Sequence, residues 1–143
     1  PDGGHIVYAA GMSLCQVDSA GGGRRALWTS SSEMVSKPQY SPDGQKVAFT
    51  AWRATGRTTL VRLVILDVPS GVLTEIIPNG VAIGNFAWDE GGREIIYVKF
   101  SDIDYTLANG TLWEVDIATG SRHQITFNPD SVEAKGRGRE HAA

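Results

Sequence analysis

Hydrophobic and polar positions along this chain alternate with a period of two, in short runs that end at glycine-bearing steps. Ile6-Val7-Tyr8-Ala9, Val47-Ala48-Phe49-Thr50 and Ile95-Ile96-Tyr97-Val98 are β-branched or aromatic runs. Each follows a turn signal: Pro1-Asp2-Gly3-Gly4, Pro42-Asp43-Gly44-Gln45 and Glu90-Gly91-Gly92-Arg93. Such runs read as strands, and Asp-Gly, Ser-Gly and Thr-Gly steps read as the tight turns between them. No segment longer than about ten residues shows a 3.6-residue period, so few helices are expected.

The runs also repeat. Anchored on Ile6, Val47 and Ile95, the pattern recurs after 41 and then 48 residues. A second block follows each turn: Leu14-Cys15-Gln16-Val17-Asp18, Ile65-Leu66-Asp67-Val68 and Leu112-Trp113-Glu114-Val115-Asp116, each leading to a glycine. A last strand leaves through Arg25-Ala26-Leu27, Leu73-Thr74-Glu75-Ile76 and His123-Gln124-Ile125-Thr126. Short strands repeated every 40 to 50 residues describe the four-stranded blades of a β-propeller. The pattern therefore predicts an all-β fold, a partial β-propeller of about three four-stranded antiparallel blades, the first incomplete. Blades are expected at about residues 1–30, 35–78 and 82–127, within a repeat segment of 1–128. Residues 129–143, with Lys135-Gly136-Arg137-Gly138-Arg139-Glu140, read as a disordered tail.

Tyr40-Ser41-Pro42-Asp43-Gly44-Gln45-Lys46-Val47-Ala48-Phe49 resembles the signature of the TolB-like propeller repeat, an aromatic before Ser-Pro-Asp-Gly and then an apolar strand. The third repeat departs from it with Trp88-Asp89-Glu90-Gly91-Gly92, keeping the aromatic and the glycine. Trp88-Asp89 is not the dipeptide of WD repeats, because it precedes the second strand of its blade instead of closing the third. The resemblance covers about residues 1 to 127. It implies a rigid disc whose loops dock a protein or peptide, in the periplasm or otherwise outside the cytoplasm. The chain is also similar to the propellers of prolyl-oligopeptidase-like peptidases, which implies an alternative role as lid or substrate filter for a hydrolase domain outside this chain.

Fewer than three full blades do not close a ring, since propellers have 4 to 8. Further blades are expected from missing chain or from a second copy. The repeat alignment leaves Ile6 and Tyr8, and Ile95 and Tyr97, as the apolar positions facing outward at the two ends of the array.

The 143 residues carry a formal net charge of −3, which argues against nucleic acid as partner. One cysteine, Cys15, excludes an internal disulfide. No apolar run reaches the ~18 residues of a membrane span, and no basic-then-apolar signal segment is visible.

No catalytic residue, metal site or cofactor is assigned. Gly11-Met12-Ser13-Leu14-Cys15 fails the nucleophile-elbow pattern at its last position, and no phosphate loop or His-Glu-x-x-His pair occurs. His5, His123 and His141 are widely spaced and read as strand or surface residues. Gly21-Gly22-Gly23-Arg24-Arg25 precedes a strand, not the helix a phosphate cradle needs, and reads as a hairpin turn. Asp102-Ile103-Asp104 offers two carboxylates where Ca²⁺ takes six or more ligands. Asn109-Gly110-Thr111 fits a glycosylation sequon and reads as an Asn-Gly turn. Arg137 and Arg139 read as part of a mixed-charge tail.

Two long segments between second and third strands hold the candidate binding residues: 51–59 with Trp52, Arg53 and Arg57, and 99–110 with Phe100, Asp102, Asp104 and Tyr105. Up-and-down topology brings both to one face of the disc, and aromatics and arginines on such segments suit a partner surface. Packing of Trp52 and Phe100 between blades is the other reading of those two positions.

Overall fold

A computed structural model describes residues 3–100 and 110–126. Eleven strands follow one another: β1 (His5–Ala10), β2 (Ser13–Asp18), β3 (Arg25–Thr29), β4 (Met34–Tyr40), β5 (Lys46–Thr55) and β6 (Thr58–Asp67). They continue with β7 (Leu73–Ile77), β8 (Ile83–Trp88), β9 (Glu94–Lys99), β10 (Thr111–Asp116) and β11 (Arg122–Gln124). No helix interrupts them among the described residues.

The strands form three antiparallel sheets in simple meander order: β1-β2-β3, β4-β5-β6-β7 and β8-β9-β10-β11. Sheet one has three strands because β1 aligns with β5 and β9, and nothing in it corresponds to β4 and β8. The turns before those aligned strands match as well. Gly3, Gly44 and Gly92 all take positive φ, of 74°, 73° and 68°, a conformation that glycine adopts without strain. The first strands β4 and β8 both carry a bulge: Lys37-Pro38 drops out of register against β5, and Gly84-Asn85 against β9. Pro38 has no N–H to give the ladder, and Lys37 is the one non-glycine among the described residues with positive φ, at 55°.

Alternation along β5 divides its side chains between two neighbours. Val47, Phe49 and Ala51 join Val64 and Leu66 in a buried cluster with Leu14 and Val35, bordered by Val7, Leu27 and Trp28 of sheet one. Trp28 and Phe49 meet with their rings tilted at 46° and their centroids 5.4 Å apart. Ala48, Leu63 and Ile65 turn the other way and bury against Phe86, Ile95, Tyr97 and Val115 of sheet three. The sheets therefore stack in sequence order, one on two and two on three.

This stacking corrects the expectation for the outward faces. Ile95 and Tyr97 are buried against sheet two, because they repeat Val47 and Phe49 and face the preceding sheet. The outward positions of sheet three are their alternates, Ile96 and Val98, with Leu112 beside them across β10. At the other end Ile6 is 51% exposed, in keeping with its expected place.

Polar contacts join the sheets as well. The aromatic before each turn reaches back to the preceding sheet. Tyr40 donates its hydroxyl to Gln16 Oε1 at 2.9 Å, and Trp88 donates its indole N–H to the Gln39 carbonyl at 3.2 Å. Gln39 returns a bond, its side-chain amide donating to the Phe86 carbonyl at 2.8 Å.

Candidate functional site

The segment read as a loop over 51–59 is mostly strand. β5 and β6 run ten residues each and pair from Lys46↔Asp67 out to Thr55↔Thr58. Only Gly56-Arg57 turns the chain. Gly56 has φ of 59° and Arg57 does not share the positive angle, as suits a two-residue turn with glycine first. Trp52 and Arg53 are thus strand residues near the hairpin end, and successive side chains on a strand point to opposite faces. Trp52 lies directly across from Val61 and Met34, half-buried, on the face turned to sheet three. Arg53 lies across from Leu60 on the face turned to sheet one and is exposed. Arg57 sits exposed at the tip. Asp102, Asp104 and Tyr105 lie outside the described residues.

The hairpin tips Gly11-Met12 and Gly56-Arg57 occur at the same end of their sheets, where β9 also ends. Beside the second tip is a groove of about 220 Å³, lined by Thr58, Leu60 and Val61 from β6, by Val81 and Ile83, and by Phe100. Phe100 is held there by its own sheet. Its N–H donates to the Ala82 carbonyl at 2.9 Å, and its ring lies over Gly84, where a Cβ would come within 2.9 Å of Phe100 Cε2. Gly84 is therefore required by a ring contact rather than by a turn. Phe100 both packs within sheet three and lines the groove, so the two readings of that position coexist.

The face of sheet two turned to sheet one holds a charged group the sequence does not advertise. Arg62 Nε and Nη2 donate to both Glu33 carboxylate oxygens, at 2.9 and 2.7 Å, and Glu75 approaches at 3.5 Å. Only 12% of the Glu33 side chain and 21% of that of Arg62 are exposed. The fork-to-fork pairing with Glu33 holds the guanidinium above its ordinary pKa, against the effect of burial. Twenty-nine residues separate the partners, so no local spacing rule detects them. Arg62 is satisfied by two carboxylates and Lys99 lies over the Trp113 ring, 4.6 Å from its centroid, so among the described residues the exposed cations nearest the β5–β6 tip are Arg53 and Arg57.

The opposite end carries a polar cleft of about 480 Å³ between sheets one and two, lined by His5, Gln16, Arg25, Tyr40, Asp43 and Val68 among others. Its polar groups are largely engaged: His5 pairs with Asp18 at 3.4 Å, Gln16 with Tyr40, and Asp43 Oδ1 accepts from the Ser41 hydroxyl and the Gln45 amide. The glycine-rich turn at 21–23 folds over Asp18, as a hairpin turn between β2 and β3; a Cβ on Gly23 would come within 2.7 Å of that carboxylate.

Solved structures place this arrangement. A putative TolB from Agrobacterium tumefaciens superposes with a TM-score of 0.67 at 20% identity, over 89% of this chain and 44% of that one. The three sheets are β-propeller blades. The propeller domain of the Trilobed protease from Pyrococcus furiosus also superposes, with a TM-score of 0.61 at 18% identity over 87% of this chain and 41% of that one. So does the acylaminoacyl peptidase of Pyrococcus horikoshii, at 0.59 and 17% over 85% of this chain and 22% of that one. The blades here thus span less than half the length of each of these proteins. No family model matches the chain, and no curated protein sequence matches it.

Proposed function

We propose that these blades form the non-catalytic, protein- or peptide-binding part of a propeller, with the hairpin-tip end as the docking face. The observation that carries the proposal is the apolar groove of about 220 Å³ beside the β5–β6 tip, with Trp52 on the same sheet face as Val61, Arg57 exposed at the tip and Arg53 exposed on the other face of the same hairpin. Apolar anchors in a groove with a polar, charged rim are the usual anatomy of a peptide site. The ligand that fits is an extended segment with one apolar anchor flanked by acidic residues, and Asp102, Asp104 and Tyr105 belong to the proposed rim by their sequence position. Placement outside the cytoplasm is part of the same proposal and is supported by likeness to the TolB propeller.

A panel of fluorescent peptides with an apolar residue flanked by acids tests this by polarisation against the purified chain. Trp52→Ala combined with Arg57→Ala should weaken the best binder at least tenfold, a loss of about 1.4 kcal/mol, with the circular dichroism unchanged. Equal binding by the variant, or none by the wild type across the panel, rejects the reading.

A second reading is favoured by likeness to the two peptidase propellers: the blades act as lid or filter for a hydrolase domain elsewhere. Reading the open reading frame downstream for Gly-x-Ser-x-Gly in an α/β pattern separates the two.

A further inference from the structure

The two interfaces between blades are built on one repeat, and they differ at two positions that stacking does not explain. Ile65 on β6, directly across from Thr74 on β7, is buried against blade three beside Trp88. The same places in blade one hold Gln16 on β2 and Arg25 on β3, again a cross-strand pair, with Tyr40 standing for Trp88. One interface thus closes on an apolar side chain where the other carries a polar one. Beside that polar pair opens the cleft of about 480 Å³ between blades one and two, a size within the range of small-molecule sites.

The hydrogen bonds around the cleft leave three groups over. Gln16 is only 8% exposed, and its one partner, the Tyr40 hydroxyl, takes up the side-chain oxygen. The amide nitrogen has no partner among the described residues. No fully enclosed side-chain nitrogen or oxygen among them lacks one, so this nitrogen opens on the cleft that Gln16 lines. A buried amide with spare donors is costly unless something accepts them. Arg25 lines the same cleft, is exposed, and makes no ion pair among the described residues. A guanidinium and an amide together suit a carboxylate, which accepts at both oxygens. From the blade-two wall comes Asp43, whose Oδ1 is taken by the Ser41 hydroxyl and the Gln45 amide while Oδ2 takes no bond from another residue.

We propose that this cleft binds a small zwitterion, a free amino acid or short free peptide, whose carboxylate meets Arg25 and the Gln16 amide and whose ammonium meets Asp43. One wall supplies a cation and a donor and the other an anion, so a ligand with one charge of each sign leaves none of them unpaired. β1 joins β2 by one edge, and a strand added to its other edge would lie away from Gln16 and Arg25. Both walls therefore belong to the described blades. The cleft is at the end opposite the hairpin tips, and the inference stands or falls independently of the peptide site there.

Isothermal titration of the full chain with L-leucine, L-alanyl-L-leucine, and the N-acetyl and C-amide forms of that dipeptide tests it. Saturable binding is expected from at least one of the two free zwitterions, the tighter of which identifies the source, and blocking either terminus should weaken it at least tenfold. Arg25→Gln should weaken the free ligand at least tenfold and leave the already weakened C-amide unchanged. Asp43→Asn keeps Oδ1 as the acceptor for its turn; it should weaken the free ligand likewise and leave the N-acetyl form unchanged. Gln16→Glu keeps an acceptor for Tyr40 but sets an anion where the donor was, and should also weaken binding at least tenfold. Arg25 is exposed, so its substitution reads out the site even where Gln16→Glu unfolds the chain. No saturable binding of either zwitterion, a blocked form that binds as well as the free one, or affinity indifferent to Arg25→Gln or to Asp43→Asn would each overturn the proposal.

Discussion

Asp89 stands where the repeat signature has serine, and the two side chains do the same work. Ser41 Oγ accepts the Lys46 amide at 3.0 Å and donates to Asp43 at 2.7 Å. One repeat later Asp89 Oδ1 accepts the Arg93 and Glu94 amides, at 2.9 and 3.0 Å. The aspartate reaches both amides alone, so the third turn dispenses with the aspartate that follows in the signature. Asp89→Ala should cost about 1 kcal/mol in urea unfolding, and Asp89→Ser should recover part of it. Turn carboxylates also set the acid response. The Ser41 hydroxyl, then the Gln45 amide, lower the Asp43 pKa. The Ser70 hydroxyl, then Lys46, lower that of Asp67, and the Thr119 and Ala118 amides lower that of Asp116. A carboxyl whose folded pKa is lowered adds stability above its ordinary value of 3.8 and loses it as pH falls through the lowered value. Glu94 has the opposite sign. Its hydrogen bond with Glu114 raises it, so its contribution is present below the ordinary 4.5 and fades as pH rises through the raised value. Urea midpoints should therefore fall as pH drops below about 4, where the three aspartates gain protons. Glu114→Gln should flatten the profile on the other side, above about pH 4.5.

At the scale of elements, the hairpin of β5 and β6 shows what the sequence conceals. Residues 51–59 are rich in threonine and arginine around a glycine and read as loop, yet their period of two carries on unbroken to Thr55. Propensity gives way there to cross-strand pairing with β6, which extends the ladder into solvent. The turns, the strand count and the division of faces along β5 follow from local patterns, and these were legible. Which residues meet across sheets was less so. The Arg62–Glu33 pair joins distant segments by side chains that would suit any exposed strand. The outward face of sheet three differs from the expectation because the repeat fixes alternation, while the direction of stacking fixes which alternate faces out. Phe49→Ala, in the fully buried cluster beside Trp28, should cost about 3–5 kcal/mol in thermal or urea unfolding. A double-mutant cycle on Glu33→Ala and Arg62→Ala should return a coupling of about 1.5–3 kcal/mol, above the range of exposed pairs.

For the whole molecule, stability resides in two blade interfaces, each with one buried cluster and polar tethers beside it. The tethers between blades two and three are reciprocal, Gln39 giving to Phe86 and Trp88 giving to Gln39. Gln39→Ala removes one of them and should cost about 1 kcal/mol. Hydrogen exchange should then rise first in β8 and β4, the strands the bond joins, while β2 keeps its protection. The candidate binding face was legible only in part: composition pointed to Trp52, Arg53 and Arg57, but the groove depends on Gly84 leaving room for Phe100, and that contact has no signature in sequence.

The backward reach of Tyr40 and Trp88 also sets an order in time. A chain leaves the ribosome N-terminus first, and domains fold as they emerge. The Gln16 side chain waits for a hydroxyl 24 residues further on, and the Gln39 carbonyl waits for an indole 49 residues further on. Each blade is therefore sealed by the one synthesised after it. A nascent chain halted near residue 80 would hold blade two with its Ala48, Leu63 and Ile65 face bare, the state in which a chaperone has most to bind.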